Sequence, residues 1–291
     1  MEATALPGAS WLSRRGAHQG TRDPKRPPAR GAAYDARVDT PIFSGVGVAL
    51  LTLFDDDLGV DPHATADLAS QLVATGMRAV VVAGTTGEAV TLSPEERVRL
   101  IRAVRAALPV SVPVIAGTGA PSIYQAVRLS AQAADAGADA VLALSPRGQS
   151  DPRHYYEALV SAVSVPVLAY HYPSLSAPGI PVSALDELGV AACKDSSADA
   201  TRFLAEMTDA HLPIYVGSGA LLSFAGPLGA TGAILALANA EPERCVAAFA
   251  GDATAQRQLA PSLLACDARF PGAIKSLTAQ RFKTPCAARL D

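Results

Sequence analysis

A lysine at the end of an apolar run is the residue in this sequence best suited to covalent chemistry. Lys194 follows the apolar residues 188–193, LGVAAC, where a charged ammonium would be poorly solvated. Desolvation lowers the pKa of a lysine, and the neutral amine is the form that attacks a carbonyl carbon. The alternative is a structural lysine that pairs with Asp195 or extends its ammonium to solvent.

A tyrosine ends the preceding apolar run, VPVLAY at residues 165–170. If the two runs are neighbouring strands, the phenol of Tyr170 and the amine of Lys194 reach the same sheet edge. A phenol beside an iminium ion can move protons. The alternative is a packed ring whose hydroxyl is satisfied by a hydrogen bond.

The stretch GTTGE at residues 84–88 has the composition of an anion-binding loop. Its two glycines allow a tight turn whose N–H groups point at one guest, with the hydroxyls of Thr85 and Thr86 beside them. The stretch is too short for a phosphate-binding P-loop and contains no lysine, so a carboxylate is the better guest. The alternative is a structural turn in which Glu88 caps the next helix.

Other chemistries have weaker support. The five histidines show no metal-ligand spacing, and no GxSxG nucleophile turn occurs. The four cysteines lie far apart, which is typical of free thiols in a reducing compartment. We therefore expect a reaction that needs neither a metal nor another cofactor.

Composition narrows the class of protein further. The 291 residues carry a net charge of −3, so nucleic-acid binding is not expected, and no apolar run approaches the roughly 18 residues of a membrane span. Residues 1–42 are rich in Arg, Pro and Gly without the apolar core of a secretory signal, and they predict a flexible basic tail. The predicted location is the cytoplasm. A transit peptide is the weaker alternative, because Asp23, Asp35 and Asp39 interrupt the basic run.

Eight short apolar runs predict the strands that position these residues. They show no alternation of polar and apolar residues, which is typical of parallel strands buried on both faces. The runs are 45–53, 79–84, 112–117, 139–145, 165–170, 190–194, 213–217 and 233–237.

Segments of helical period separate the runs. In the clearest of them, residues 94–108, Ser93 can cap the helix and an apolar face points inward. That face comprises Val98, Ile101, Val104, Ala107 and Leu108.

Eight such repeats predict a (β/α)8 TIM barrel over residues 43–240, followed by a C-terminal helical segment at 241–291. A dinucleotide-binding Rossmann fold is the weaker alternative, because no GxGxxG motif is complete. Catalytic groups of such barrels lie at the carboxyl ends of the strands. The polar residues found there are Thr52, Thr85, Thr86, Thr118, Ser145, Tyr170, His171, Lys194, Asp195, Ser218 and Asn239.

Four motifs carry a resemblance to the dihydrodipicolinate synthase/N-acetylneuraminate lyase family. They are GTTGE at 84–88, AGTGA at 116–120, Tyr170-x-x-Pro173 and KDSS at 194–197, in the family's order and spacing. The likeness covers roughly residues 43–290. It implies a class I aldolase barrel, commonly tetrameric, that forms a Schiff base with pyruvate or another 2-oxo acid. A homo-oligomer, dimer or tetramer, is therefore expected.

The resemblance also implies site roles. Lys194 would form the Schiff base and Tyr170 would shuttle protons. Thr85 and Thr86 would bind the carboxylate, with Thr85 in the proton relay. Gly217 and Ile234 match backbone positions near the bound carbonyl compound.

Two departures from the synthase branch concern the second substrate. Leu175 stands where an arginine binds a substrate carboxylate, and Leu175-Ser176 is more similar to the neuraminate lyase branch. Ser145-Pro-Arg-Gly148 replaces the segment whose tyrosine completes a neighbouring subunit's site. Arg147, near the same rim, is a candidate replacement for the missing arginine.

Three functions remain open. A Schiff-base lyase acting on a 2-oxo acid is the leading hypothesis. The second is 4-hydroxy-tetrahydrodipicolinate synthase, which joins pyruvate to aspartate semialdehyde. The third is a barrel without turnover that binds a 2-oxo acid as a sensor, although a pure binder needs neither a nucleophile nor a proton shuttle.

Overall fold

Eight parallel strands close into a barrel in the computed structural model, which describes residues 41–290. Each strand pairs with its neighbours in chain order, and β8 closes the barrel on β1. The strands are β1 Gly45–Ala49, β2 Val80–Val82, β3 Val114–Gly117, β4 Ala140–Leu144, β5 Val167–His171, β6 Ala192–Asp195, β7 Ile214–Val216 and β8 Gly232–Leu235. The TIM barrel predicted from the apolar runs is confirmed. The predicted tail lies outside the described residues except for Pro41 and Ile42.

Helices cover the outside of the barrel. Within the described residues they are α1 Pro62–Ala74, α2 Pro94–Ala107, α3 Ile123–Asp135, α4 Arg153–Ala162, α5 Ala200–Asp209, α6 Leu222–Ala225, α7 Pro242–Phe249, α8 Ala253–Gln258, α9 Ala260–Ala268 and α10 Gly272–Phe282. The last four form the C-terminal helical part. No helix among residues 41–290 is long and apolar enough to cross a membrane.

The strands are shorter than the apolar runs. The predicted strand 45–53 ends at Ala49, and residues 50–53 continue as a buried loop at the barrel's carboxyl end. Apolarity reports burial, and these loop residues are buried without pairing in the sheet.

Two details of the helices also differ from expectation. Ala107 is exposed at the last turn of α2, whose buried face is Leu100, Ile101 and Val104. Between β5 and β6 a 3-10 segment, Val182–Glu187, replaces the expected helix. Pro178 and Pro181 precede this segment, and proline lacks the N–H that a continuing α-helix needs.

Alternate residues of each strand point into two different apolar layers. One set packs between the strands and the helices, and the other fills the barrel interior. At the amino-terminal end of the interior, the ring of Phe43 stacks on Tyr215 with centroids 4.6 Å apart, and the Tyr215 hydroxyl donates to the Phe43 carbonyl over 2.8 Å. Aromatic side chains therefore fill the amino-terminal end of the barrel interior, and the polar side chains lie at its carboxyl end.

Candidate active site

Lys194 lies inside the barrel near its carboxyl end, on the same face of β6 as Ala192 of the interior layer. Only 5% of the residue is exposed, and its Nζ lies 4.3 Å from the centroid of the Tyr170 ring. Burial lowers the pKa of Lys194 to about 7. A large fraction of this amine is therefore neutral near physiological pH.

Asp195 does not neutralise this lysine, because adjacent residues of a strand point to opposite faces. The Asp195 carboxylate faces outward, where it accepts hydrogen bonds from the backbone N–H and the hydroxyl of Ser197. Its Oδ2 lies 3.3 Å from Nε of Arg202 on α5. The alternative of a structural Lys194–Asp195 pair is wrong.

Tyr170 is brought to Lys194 by the register of the sheet, in which the two residues are direct partners on β5 and β6. Its hydroxyl lies close to those of Thr85 and Ser196; burial raises its pKa above the ordinary value, and the two neighbouring hydroxyls oppose that rise. The hydroxyl of Tyr156 on α4 accepts the backbone N–H of Tyr170 over 3.3 Å. The phenol is thus held between the GTTGE loop and the strand of the lysine.

The GTTGE loop follows β2 and places Thr85 half-buried and Thr86 buried at the carboxyl end of the barrel. The Thr52 hydroxyl, from the loop after β1, donates to the Gly87 carbonyl over 2.7 Å. The structural alternative for this loop was that Glu88 caps α2, but Glu88 does not cap that helix. That helix instead begins with a capping box of Ser93 and Glu96.

The remaining predicted site residues, Gly217 and Ile234, belong to the same end and the interior of the barrel. A Cβ atom on Gly217 would stand 2.9 Å from Cε of Lys194 and 1.9 Å from Oγ of Ser196, so only glycine leaves room for the lysine. Ile234 of β8 is fully buried in the barrel interior. The fold therefore brings Lys194, Tyr170 and Gly217 into direct proximity, with Thr85 joined to them through the phenol.

Several other polar strand ends are structural. The Asn239 amide donates to the Ala49 carbonyl over 2.7 Å and accepts from the Leu51 N–H over 3.1 Å. Thr118 accepts a hydrogen bond from Ser130 of α3. His171 Nδ1 accepts the N–H of Ile180, and burial lowers the pKa of this ring to about 4. His171 is accordingly neutral near pH 7.

Two residues at the site were not identified from the sequence. Ser196 lies close to the Tyr170 hydroxyl, and the ring of Tyr172 stacks on Tyr170 with centroids 5.9 Å apart. Both lie two positions beyond an identified residue, Lys194 or Tyr170. The two-residue period of a strand was the signal that could have revealed them.

The two segments that depart from the synthase pattern contact each other. The Ser176 hydroxyl donates to the Ser145 carbonyl over 2.5 Å, and the Gly148 N–H donates to the Ala177 carbonyl over 2.7 Å. Leu175 is 45% exposed in this pair of loops. Both departures therefore reshape one side of the barrel rim.

The comparisons with known proteins agree with this architecture. The sequence profile of the Dihydrodipicolinate synthetase family matches residues 42–265. An uncharacterised DapA-like lyase of Halobacterium salinarum is 37% identical over 216 residues, which cover 70% of each chain. A 4-hydroxy-tetrahydrodipicolinate synthase of Natronomonas pharaonis is 34% identical over 232 residues, covering 75% of this chain and 79% of that protein.

Solved structures show the same relationship. A crystal structure of dihydrodipicolinate synthase superposes with a TM-score of 0.80 at 27% identity, covering 85% of this chain and 92% of that one. The chloride-inhibited synthase of Acinetobacter baumannii, complexed with pyruvate, has a TM-score of 0.79 at 28% identity over 86% of this chain and 92% of that one. The chain therefore belongs to the dihydrodipicolinate synthetase family and is a lyase of the class I aldolase type.

Proposed function

We propose that this protein is a Schiff-base lyase that makes or breaks a carbon–carbon bond adjacent to pyruvate or another 2-oxo acid. The observation that carries the proposal is the buried amine of Lys194, 4.3 Å from the ring of a tyrosine whose hydroxyl lies close to Thr85. A nucleophile, a proton carrier and a carboxylate-binding loop meet there. A sensor without turnover would need neither of the first two.

The covalent step uses the neutral amine. Nζ of Lys194 attacks the keto carbon, the carbonyl oxygen leaves as water, and a protonated imine remains. This cation accepts the electron pair released when the neighbouring carbon–carbon bond breaks. The hydroxyls of Thr85 and Thr86, with the loop's N–H groups, hold the substrate carboxylate in a site shielded from water, where such contacts are strong.

Proton transfer falls to Tyr170, with Thr85 completing the relay. Its hydroxyl lies between Thr85 and Ser196, so a proton can pass along this chain of hydroxyls. Gly217 leaves room for the lysine, and Ile234 supplies the wall of the barrel interior behind it.

The second substrate of the leading proposal is an uncharged aldehyde, such as the fragment released from a 2-keto-3-deoxy sugar acid. Residues 172–179, which follow the tyrosine at the rim, contain no basic side chain. A carboxylate entering beside Leu175 would find no partner in this loop, and burying an unpaired charge is costly.

The second candidate is 4-hydroxy-tetrahydrodipicolinate synthase. Relatives with that name are 34% identical to this chain, and the Acinetobacter baumannii synthase binds pyruvate. In that case Arg147, which is exposed on the loop after β4, would bind the carboxylate of aspartate semialdehyde. Steady-state turnover of aspartate semialdehyde against 2-keto-3-deoxy sugar acids separates the candidates. Comparable or better turnover with the semialdehyde would make the synthase the leading candidate.

Borohydride trapping tests the shared covalent step. Pyruvate is expected to condense with Lys194, and hydride reduction of the imine then leaves a stable secondary amine on the peptide that contains KDSS. Lys194→Arg should abolish labelling, because a guanidinium keeps the charge but forms no imine under these conditions. Tyr170→Phe should label more slowly, because it loses proton transfer but keeps the nucleophile.

Lys275 and Lys283 are the internal controls. Lys275 is fully buried against Glu88, and Lys283 follows the end of α10 with its ammonium on the Gln280 carbonyl. Neither should be labelled. Trapping at either control, or no trapping with pyruvate and larger 2-oxo acids, would contradict the proposed mechanism.

A further inference from the structure

The last residue of the GTTGE loop carries a buried charge that the proposed reaction does not use. Glu88 is fully buried, and its Oε1 lies 2.5 Å from Nζ of Lys275 on α10, which is also fully buried. Burying two charges is unfavourable unless further hydrogen bonds satisfy them. The hydrogen-bond partners of Glu88 and Lys275 therefore show which segments of the chain this ion pair connects.

Those groups come from the C-terminal residues that follow α10. The second carboxylate oxygen of Glu88 accepts the backbone N–H of Arg289 over 2.7 Å and that of Leu290 over 2.9 Å. Lys275 donates to the carbonyl of Ala287 over 2.5 Å. We call residues 287–290 the terminal segment. The backbone N–H groups of Arg289 and Leu290 in this segment are both bound by one carboxylate of the GTTGE loop.

The side chain of Arg289 extends this attachment to the neighbouring loop. Its guanidinium donates to the Leu58 carbonyl, in the loop after β1, and to the Thr91 carbonyl, beyond the GTTGE stretch. It also pairs with Glu96 at 2.7 Å and lies 4.5 Å from the ring centroid of Phe54. The terminal segment therefore joins the loops after β1 and β2.

Glu88 transmits this anchoring to the threonines through the backbone. Its N–H donates to the Thr85 carbonyl over 3.0 Å, and its left-handed φ of 55° is unusual for a residue other than glycine. An unfavourable conformation persists only where surrounding contacts enforce it. The contacts with Lys275 and the terminal segment enforce it here.

We propose that Glu88 is a positioning residue through which Lys275 and the terminal segment set the enzyme's affinity for the carboxylate of its 2-oxo acid. The inference rests on the proposed function, since it assigns that carboxylate to Thr85 and Thr86. Glu88 touches no reacting atom; it fixes the turn that presents the two threonines. The covalent chemistry of Lys194 lies on β6, across the barrel from this anchor.

The test measures borohydride trapping of Lys194 as a function of pyruvate concentration. In Arg289→Ala and Glu88→Gln, the pyruvate concentration for half-maximal trapping should rise about tenfold, because binding is lost equally in the ground and transition states. The limiting trapping rate at saturating pyruvate should fall by no more than about threefold, because Thr85 is displaced from the proton relay while Lys194 and Tyr170 keep their positions. General damage to the barrel would instead lower the limiting rate as strongly as it weakens pyruvate binding.

Glu243→Gln is the matched control. This substitution breaks the ion pair between Glu243 and Arg281, whose atoms are 2.5 Å apart. Arg281 lies on α10, as Lys275 does, but this pair is exposed and does not involve the GTTGE loop. This variant should leave half-saturation unchanged. If Glu88→Gln does not fold, Glu88→Gln/Lys275→Met removes both buried charges together, and Arg289→Ala leaves the buried Glu88–Lys275 pair in place.

Hydrogen–deuterium exchange supplies a readout that does not depend on catalysis. Backbone amides of residues 84–91 should exchange faster in Arg289→Ala than in wild type, whereas those of β6 should be unchanged. Failure of wild-type trapping alone would count against the proposed function. Unchanged half-saturation, or unchanged exchange of residues 84–91, would overturn the positioning role of the terminal segment.

Discussion

Two buried lysines show how the surroundings of a residue decide its chemistry. Lys194 has the ring of Tyr170 beside it, and among residues 41–290 no carboxylate forms an ion pair with it. Lys275 meets the carboxylate of Glu88 and the carbonyl of Ala287. Burial without an anion favours the neutral amine and therefore nucleophilic attack. Burial with an anion favours a structural contact.

The lowered pKa of Lys194, about 7, predicts how imine formation depends on pH. At fixed, saturating pyruvate, the initial rate of trapping should rise about tenfold per pH unit below pH 7, because the neutral fraction rises in that proportion. The rate should level off above about pH 8. A rise that continues to pH 10 would show that the amine has its ordinary pKa.

Gly217 predicts a steric dependence of the same step. In Gly217→Ala, the new methyl group would overlap Ser196 and approach Cε of Lys194 to 2.9 Å, so the amine must move. We expect trapping at saturating pyruvate to slow at least about tenfold. The melting temperature should fall by only a few degrees, as for a local repacking. Trapping at the wild-type rate would show that the lysine position is not critical.

At the scale of elements, β6 separates two electrostatic environments. Its inner face carries Lys194, and its outer face carries Asp195 against Arg202 and Glu206 of α5. Glu206 is fully buried, and desolvation together with the Asp195 charge raises its pKa to about 8. Lys194 is thus backed by a charged cluster that it does not contact.

The raised pKa of Glu206 predicts a pH-dependent stability. Between its ordinary value of 4.5 and about 8, the folded state binds more protons at this site than the unfolded state. Its contribution to the free energy of unfolding is therefore complete at low pH and is lost as pH rises through about 8. From pH 7 to 9, wild type should lose roughly 1 kcal/mol relative to Glu206→Gln.

Urea unfolding of both proteins at pH 7 and pH 9 measures this difference. The comparison cancels the opposite effect of Lys194, whose lowered pKa makes stability rise with pH over the same range. Parallel changes in the two proteins would show that Glu206 is ionised in the folded state at pH 7.

At the scale of the whole molecule, α9 and the terminal segment both return to the carboxyl end of the barrel. Leu263 of α9 packs on Gly219 in the loop after β7, and Arg289 binds the loops after β1 and β2. The helical part after β8 therefore covers the rim that holds the proposed active site.

Assembly is the prediction for the whole chain. The family resemblance leads us to expect a homo-oligomer, so light scattering of the intact protein should give a multiple of 29.8 kDa. Replacement of the tyrosine segment by Ser145–Gly148 removes one reason for the association but leaves the rest of the surface. A mass of one chain at micromolar concentration would contradict the expectation.

The amino-acid sequence by itself determined the barrel, the order of its strands and the motifs that carry Lys194, Tyr170 and GTTGE. These are local signals, because burial, helical period and turn chemistry are encoded in consecutive residues. The ends of strands are not encoded in this way, since residues 50–53 are as apolar as a strand yet form a buried loop.

Only the tertiary structure decided which strand-end residues meet and which side they face. Asn239, His171 and Asp195 ended apolar runs as Lys194 did, but their side chains serve the framework. The pairing of Glu88 with Lys275 and Arg289 joins residues far apart in the chain, and no local pattern predicts it. Such contacts depend on how the barrel closes and where its C-terminal helices lie, so they exist only once the whole chain has folded.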